Sequence, residues 1–237
     1  MSTLLLIRHG QARAFDADSD RLTEKGVDQA RRLGEFLVSA GVELDEVHVG
    51  TLERQRHTAA LAGEAFAAAD RAWPEPTVDA RFDEYDAGGI LGTLLPLLTE
   101  RDPQVRKLSE EFQAAGASPD RNRYFQRLFE VLMDAWLEGR VTAPGVEAFA
   151  AFHERVRAAF RELTSRGGSR RVAVFTSGGP IGVSLQEALE APPRSALRIN
   201  WRVKNASMTE MTFSEGRISV DSFNVVLYLP PELRTFR

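Results

Sequence analysis

A run of four apolar residues, Leu4-Leu5-Leu6-Ile7, ends abruptly at Arg8-His9-Gly10, and this constrains the fold more than any other stretch. Side chains of a strand point alternately to its two faces, so a continuous apolar run needs cover on both. The chain then delivers an arginine and a histidine to the strand's C-terminal end, where Gly10 permits a sharp turn. In open α/β sheets that end is where ligands bind. These three residues alone suit an ordinary strand with a polar exit equally well.

The segments that follow support a layered fold. Thr23 is placed to cap a helix whose apolar stripe is Val27, Ala30, Leu33 and Leu37; Leu22 and Val27 have staple spacing, and Gly41 is the stop. Residues 47–50 read as a second strand and 52–66 as a second helix, the order of an α/β layer fold. From 88 to 139 the pattern is helical, broken at Pro96, Pro103 and Pro119. It is read as an insertion that caps one end of a core made of residues 1–87 and 140–237, all within one domain. The layered pattern resumes with a helix over 146–163 and a buried strand over 172–176. A glycine turn then opens a helix that reaches about residue 189, and two strands, 208–213 and 218–223, flank Glu215-Gly216.

Composition narrows the chemistry. With no cysteine among 237 residues, disulfides, cysteine zinc sites and a thiolate nucleophile are excluded. The net charge is -4, and 27 arginines against three lysines form no dominant basic stripe, so no nucleic-acid partner is expected. The N-terminal apolar run is shorter than the roughly 7–15 residues of a signal-peptide core. The stretch 88–98 falls short of the about 20 residues of a membrane span and contains a proline. A cytoplasmic protein with no membrane partner is the expectation.

Two further elements bear on the Arg8-His9 strand end. Arg54 lies in the first turn of the second helix, at an N-terminus with free N–H groups and partial positive charge. Two arginines from adjacent strand ends can grip a phosphate with paired hydrogen bonds. A solvent-facing arginine is the competing reading in so arginine-rich a chain. Thr176-Ser177-Gly178-Gly179-Pro180-Ile181 offers a third strand end opening into a helix, with glycines that let backbone approach an anion. There the competing reading makes Ser177 only an N-cap.

Taken in order, these motifs resemble the histidine phosphatase superfamily, also called phosphoglycerate-mutase-like. Leu6-Ile7-Arg8-His9-Gly10-Gln11 is similar to its signature, and Leu52-x-Arg54-x-x-x-Thr58-Ala59 to its second motif. Gly145-x-Glu147 with Arg155-Val156, the segment from Phe175 to Ile181, and a C-terminal pattern made of Asn205-Ala206-Ser207 and Asn224 with Leu229 resemble its three later motifs. Five motifs in order are far more specific than any one. The resemblance implies a three-layer α/β/α sandwich with a mostly parallel central sheet and a helical cap. It implies His9 as the phosphorylated nucleophile, Arg8 and Arg54 as phosphoryl-binding residues, and Glu84 as general acid. Gln11, Ser177 and Gly178 would complete the phosphate site. No metal and no cofactor are required, and the partner would be a small-molecule phosphate ester or a phosphopeptide. A homodimer is an admissible assembly.

One departure matters most. Where the family places a second histidine after the late strand, this chain has Ser177, which donates a hydrogen bond but carries no charge. Losing such a donor costs on the order of a hundredfold to a thousandfold in rate unless something compensates; water or Arg56 is the compensation considered. Gly50 stands where the family often has serine, Tyr228 replaces a common late histidine, and residues 12–15 lack the Trp-Asn pair of many members. The Gln11 variant with a serine-type glycine turn looks like a bacterial subgroup. A phosphatase is therefore expected, with a weakly active or non-catalytic phospho-ligand binder as the alternative and a mutase as the less favoured third. His48, His57 and His153 are read as structural or surface residues. Asp16-x-Asp18-x-Asp20 lacks the glycine and glutamate that a calcium loop needs, and reads as a solvated loop bordering the site. Gly88-Gly89-x-x-Gly92 follows no strand, so it is no nucleotide fingerprint.

Overall fold

The structure is a computed structural model that describes residues 1–13 and 20–236. Asp16 and Asp18, and residues 14 and 15 of the 12–15 segment, lie outside the described residues. Contacts divide the chain into two compact units, residues 1–84 with 155–237, and residues 85–154.

The first unit opens with β1 (Ser2–Arg8), α1 (Glu24–Ser39), β2 (Glu46–Val49), α2 (Glu53–Ala68) and β3 (Thr77–Val78). The second unit contributes α3 (Ala87–Gly89), a π-helical turn Ile90–Leu94, α4 (Leu95–Arg101), α5 (Pro103–Ala114) and α6 (Arg121–Leu137). There follow α7 (Phe149–Ser165), β4 (Arg171–Thr176), α8 (Gly178–Ala188), α9 (Arg194–Asn200), β5 (Met208–Ser214) and β6 (Arg217–Val225). The six strands form one sheet in the order β3-β2-β4-β1-β5-β6. The β3, β2, β4 and β1 strands run parallel; β5 is antiparallel to β1, and β6 is antiparallel to β5.

The apolar run of β1 sits at the centre and is covered on both faces, as its composition demands. Leu4 and Leu6 pack with Phe160 and Leu163 of α7 and Ile181 and Leu185 of α8. Leu5 and Ile7 face the other way, onto Leu33 and Leu37 of α1 and Ala62 and Phe66 of α2. These are the three layers of an α/β/α sandwich. Thr23 caps α1 by accepting from the Gly26 N–H at 3.0 Å, and the chain leaves the helix through Gly41 at a φ of 73°. Strand β3 is two exposed residues long, so it carries no apolar pattern that a sequence reading could detect.

Among the described residues the regular elements of the second unit are all helical. The unit is wider than the 88–139 insertion expected from the sequence. Trp136 explains the C-terminal difference: its Nε1–H donates to the Glu147 carbonyl at 2.8 Å, and its ring packs against Phe149 and Phe152. Tyr85, stacked edge-on against Phe152, extends the same aromatic cluster at the N-terminal side. The helix expected from residue 146 starts only at Phe149. No helix of the described residues is long and apolar enough to cross a membrane.

Candidate active site

The first unit brings three strand ends together. Arg8 of β1 is paired with Thr176 of β4, and Val49 of β2 with Phe175, so the residues leaving β1, β2 and β4 emerge side by side. His9 is the first residue beyond β1 and is buried. Its backbone is fixed on both sides: its N–H donates to the Thr176 carbonyl at 2.9 Å, and its carbonyl accepts from the Ala206 N–H at 3.1 Å.

The ring is equally constrained. Nδ1 lies 2.7 Å from the Gly10 carbonyl, which can only accept, so Nδ1 carries the proton. The lone pair is then on Nε2, which accepts from Arg54 Nε at 3.2 Å. Burial holds the His9 pKa well below the usual histidine value, and the charges of Arg54 and Arg8 push it the same way, opposed by the Gly10 hydrogen bond. His9 is therefore neutral at pH 7, with a defined tautomer.

Arg54 reaches His9 from the first turn of α2, as its sequence position suggested. Leu52 gives α2 no side-chain cap. Asp20 does so instead: its carboxylate accepts from Glu53 N–H at 2.7 Å and Arg54 N–H at 3.4 Å, and also pairs with Arg54 Nη1 at 2.7 Å. Asp20 was legible only as one of three spaced acids in a loop, a pattern that does not reveal which of them meets a helix end.

Two expected phosphate ligands engage protein groups. Arg8 Nη1 donates to the carbonyls of Val203 and of Phe236, the latter at 2.9 Å. Its charge still acts on His9. Gln11 Oε1 accepts from Thr23 Oγ1 at 3.1 Å, while its backbone N–H donates to Gln29 Oε1 at 2.7 Å.

Ser177 follows β4 and is fully buried. It occupies the N-cap position of α8 but makes no capping bond with its side chain. Its hydroxyl instead accepts from Gln55 Nε2 at 2.8 Å. Arg56 is exposed on α2, so the residue that meets Ser177 is its neighbour Gln55, which the sequence reading passed over. Glu84 lies at the same helix end, accepting from the Gly179 N–H at 3.0 Å. The segment before Glu84 is clamped by Arg155 Nη1, which donates to the carbonyls of Arg81 at 3.0 Å and Asp83 at 2.8 Å. The C-terminal segment braces the other side, where Tyr228 donates its hydroxyl to the Ala206 carbonyl. Burial keeps that phenol protonated.

The remaining histidines lie elsewhere. His48 is buried in β2 with Nε2 3.1 Å from Glu46, His57 is exposed, and His153 stacks on Phe149. Among the described residues no group of three or more histidine and carboxylate side chains is placed to hold a metal.

Comparison with known proteins shows the family and the fold. The model of the histidine phosphatase superfamily (branch 1) matches residues 4–126 and 114–226. The 2,3-bisphosphoglycerate-dependent phosphoglycerate mutase of Caulobacter vibrioides is 35% identical over 101 residues, covering 39% of this chain and 40% of that protein. The match thus spans less than half of the curated relative's length. The structure is similar to that of the mycobacterial glucosyl-3-phosphoglycerate phosphatase, with a TM-score of 0.63, 22% identity, and coverage of 97% of this chain and 100% of that one. It is also similar to phosphoglycerate mutase from Bacillus anthracis, with a TM-score of 0.62, 18% identity, and coverage of 96% and 94%.

Proposed function

Since the chain belongs to the histidine phosphatase superfamily (branch 1), we propose that it hydrolyses a phosphate monoester through a phosphohistidine formed on His9. The observation that carries this reading is the ring geometry: Nδ1–H held by the Gly10 carbonyl, and the Nε2 lone pair directed at Arg54.

An arriving phosphoryl oxygen competes with the imidazole for the Arg54 guanidinium. A dianion wins that competition, because a charge-assisted bidentate contact is stronger than one to a neutral ring. Nε2 is thereby released to attack phosphorus as the bond to the ester oxygen breaks. Charge on the transferring group is met by Arg54, by the Arg8 field and by the N–H groups opening α8. Glu84 supplies the proton to the departing alkoxide. Water then attacks the phosphohistidine and returns a proton to Glu84, releasing phosphate and neutral His9. The substrate class is a small-molecule phosphate ester or a phosphopeptide.

Turnover of 4-nitrophenyl phosphate tests the reading. His9→Ala should abolish turnover without loss of fold by circular dichroism, and Arg54→Ala should lower kcat/KM by roughly a hundredfold to a thousandfold. Undiminished turnover by His9→Ala removes the nucleophile assignment. Ser177 favours a second reading, a phospho-ligand binding protein with little catalysis, because a buried hydroxyl carries no charge. That reading expects phosphate binding that depends on Arg54, with no turnover over a broad ester panel. The curated mutase relative motivates a third, phosphoryl transfer between substrate positions, which strong hydrolysis without transfer would count against.

A further inference from the structure

We propose that Gln55 is a positioning residue that turns the Ser177 hydroxyl into a directed hydrogen-bond donor for an oxygen of the bound phosphate. The inference deepens the reading of the site given above and rests on it.

The argument begins with the Gln55 amide, which is fully buried. Its Nε2 lies 3.2 Å from the Phe82 carbonyl and 2.8 Å from Ser177 Oγ. A carbonyl can only accept, so the end of the amide facing Phe82 must be the NH2 group. The orientation is therefore dictated by chemistry. Ser177 Oγ, on that same NH2, must accept, and its own proton is left to donate elsewhere. Ser177 is next to the nucleophile, since Thr176 before it is the partner of Arg8 and receives the His9 N–H. Among the described residues no acceptor for this proton is seen, and a tetrahedral anion on Nε2 would supply one.

Two costs indicate that the arrangement is more than space filling. Gln55 Oε1 is buried with no hydrogen-bond donor among the described residues. An isosteric apolar side chain would fill the same volume without stranding an acceptor. The amide also needs Gly50, where a Cβ would lie 1.9 Å from Gln55 Oε1 and 2.5 Å from Asp83 Oδ1. Gly50, Gln55 and Ser177 are thus one linked feature: the glycine seats the amide, and the amide sets the hydroxyl.

Inorganic phosphate binding by calorimetry, with 4-nitrophenyl phosphate kinetics alongside, tests this on the full chain. Gln55→Ala and Ser177→Ala should each weaken phosphate binding about tenfold. Each should lower kcat by on the order of a hundredfold with little change in KM. The double variant should lose no more than either single one, because one donor is removed in each case. Ser177→His alone should bind phosphate worse than wild type, since Gln55 fills the space, and Gln55→Ala/Ser177→His should recover binding. Losses that multiply in the double variant, or a Gln55→Ala protein with wild-type affinity and kcat, overturn the proposal while leaving the hydrolase reading intact. Coupled losses of phosphate affinity in a wild type without turnover support it and remove the hydrolase reading. A wild type that binds no phosphate removes both.

Discussion

His9 sits in an environment that disfavours a second proton on its ring. Burial comes first, then two guanidinium charges, with only the Gly10 carbonyl favouring the cation. On the proposed mechanism neutral imidazole is the nucleophile, so activity should be present above the His9 pKa and lost as pH falls through it. That pKa is depressed, so the acid limb of kcat/KM should lie well below pH 6.5, as a pH–rate profile would show. An acid limb at or above pH 6.5 would mean that the ring is not buried beside the arginines. The same shift has a stability consequence of fixed sign. The unfolded chain binds this proton more readily, so folding loses stability as pH drops below about 6.5. At this scale the sequence singled out His9 and Arg54, which the structure brings into contact, since one leaves a strand at a turn signal and the other opens a helix. It did not disclose Asp20 or Gln55. Each acts through a contact with a residue distant in sequence, and neither has a spacing that marks it.

Elements place these residues. Helix α2 presents Arg54 only if its first turn is held, and the carboxylate that holds it comes from the loop after β1. An N-cap acceptor is worth about 1 kcal/mol, within a range of 0.5–2. Asp20→Ala should therefore lower unfolding stability in urea by about 1 kcal/mol and reduce kcat/KM through misplacement of Arg54. Unchanged stability would show that the α2 amides find another acceptor. Helix α1 was readable because Thr23, its apolar stripe and Gly41 are local signals. The edge strand β3 was not, because two exposed residues paired to His48 and Val49 are defined by their partner alone. The reach of the helical unit to Glu154 was hidden for a similar reason: Trp136 ties residues 147–152 to it through contacts that no periodicity announces.

Across the first unit, the buried faces of the sheet are apolar, and a network of charges lies around β2 and α7. Glu46 pairs with Arg170 and sits by His48, and Asp79 pairs with Arg81, which also reaches Glu162. Burial opposes ionisation of Glu46 and Asp79, but hydrogen bonds from Arg170 and His48 to the first, and from Arg81 to the second, outweigh it and depress both pKa values. Depressed carboxylates stabilise the fold above their unfolded values, near 4.5 and 3.8, and that stability is lost as pH falls through the folded ones. Denaturant titrations between pH 6 and pH 3 should show this loss. It should shrink in about 0.5 M salt, because these pairs are partly exposed and screened. No dependence on salt would indicate that other groups govern acid unfolding.

The identity of the phosphorylated atom is the most direct check on the mechanism. Wild-type protein quenched during turnover and analysed by phosphorus NMR and peptide mass spectrometry should carry an acid-labile phosphoryl group on His9, bonded to Nε2. Phosphorus on Nδ1, on another residue, or on no residue during demonstrated turnover would contradict the account.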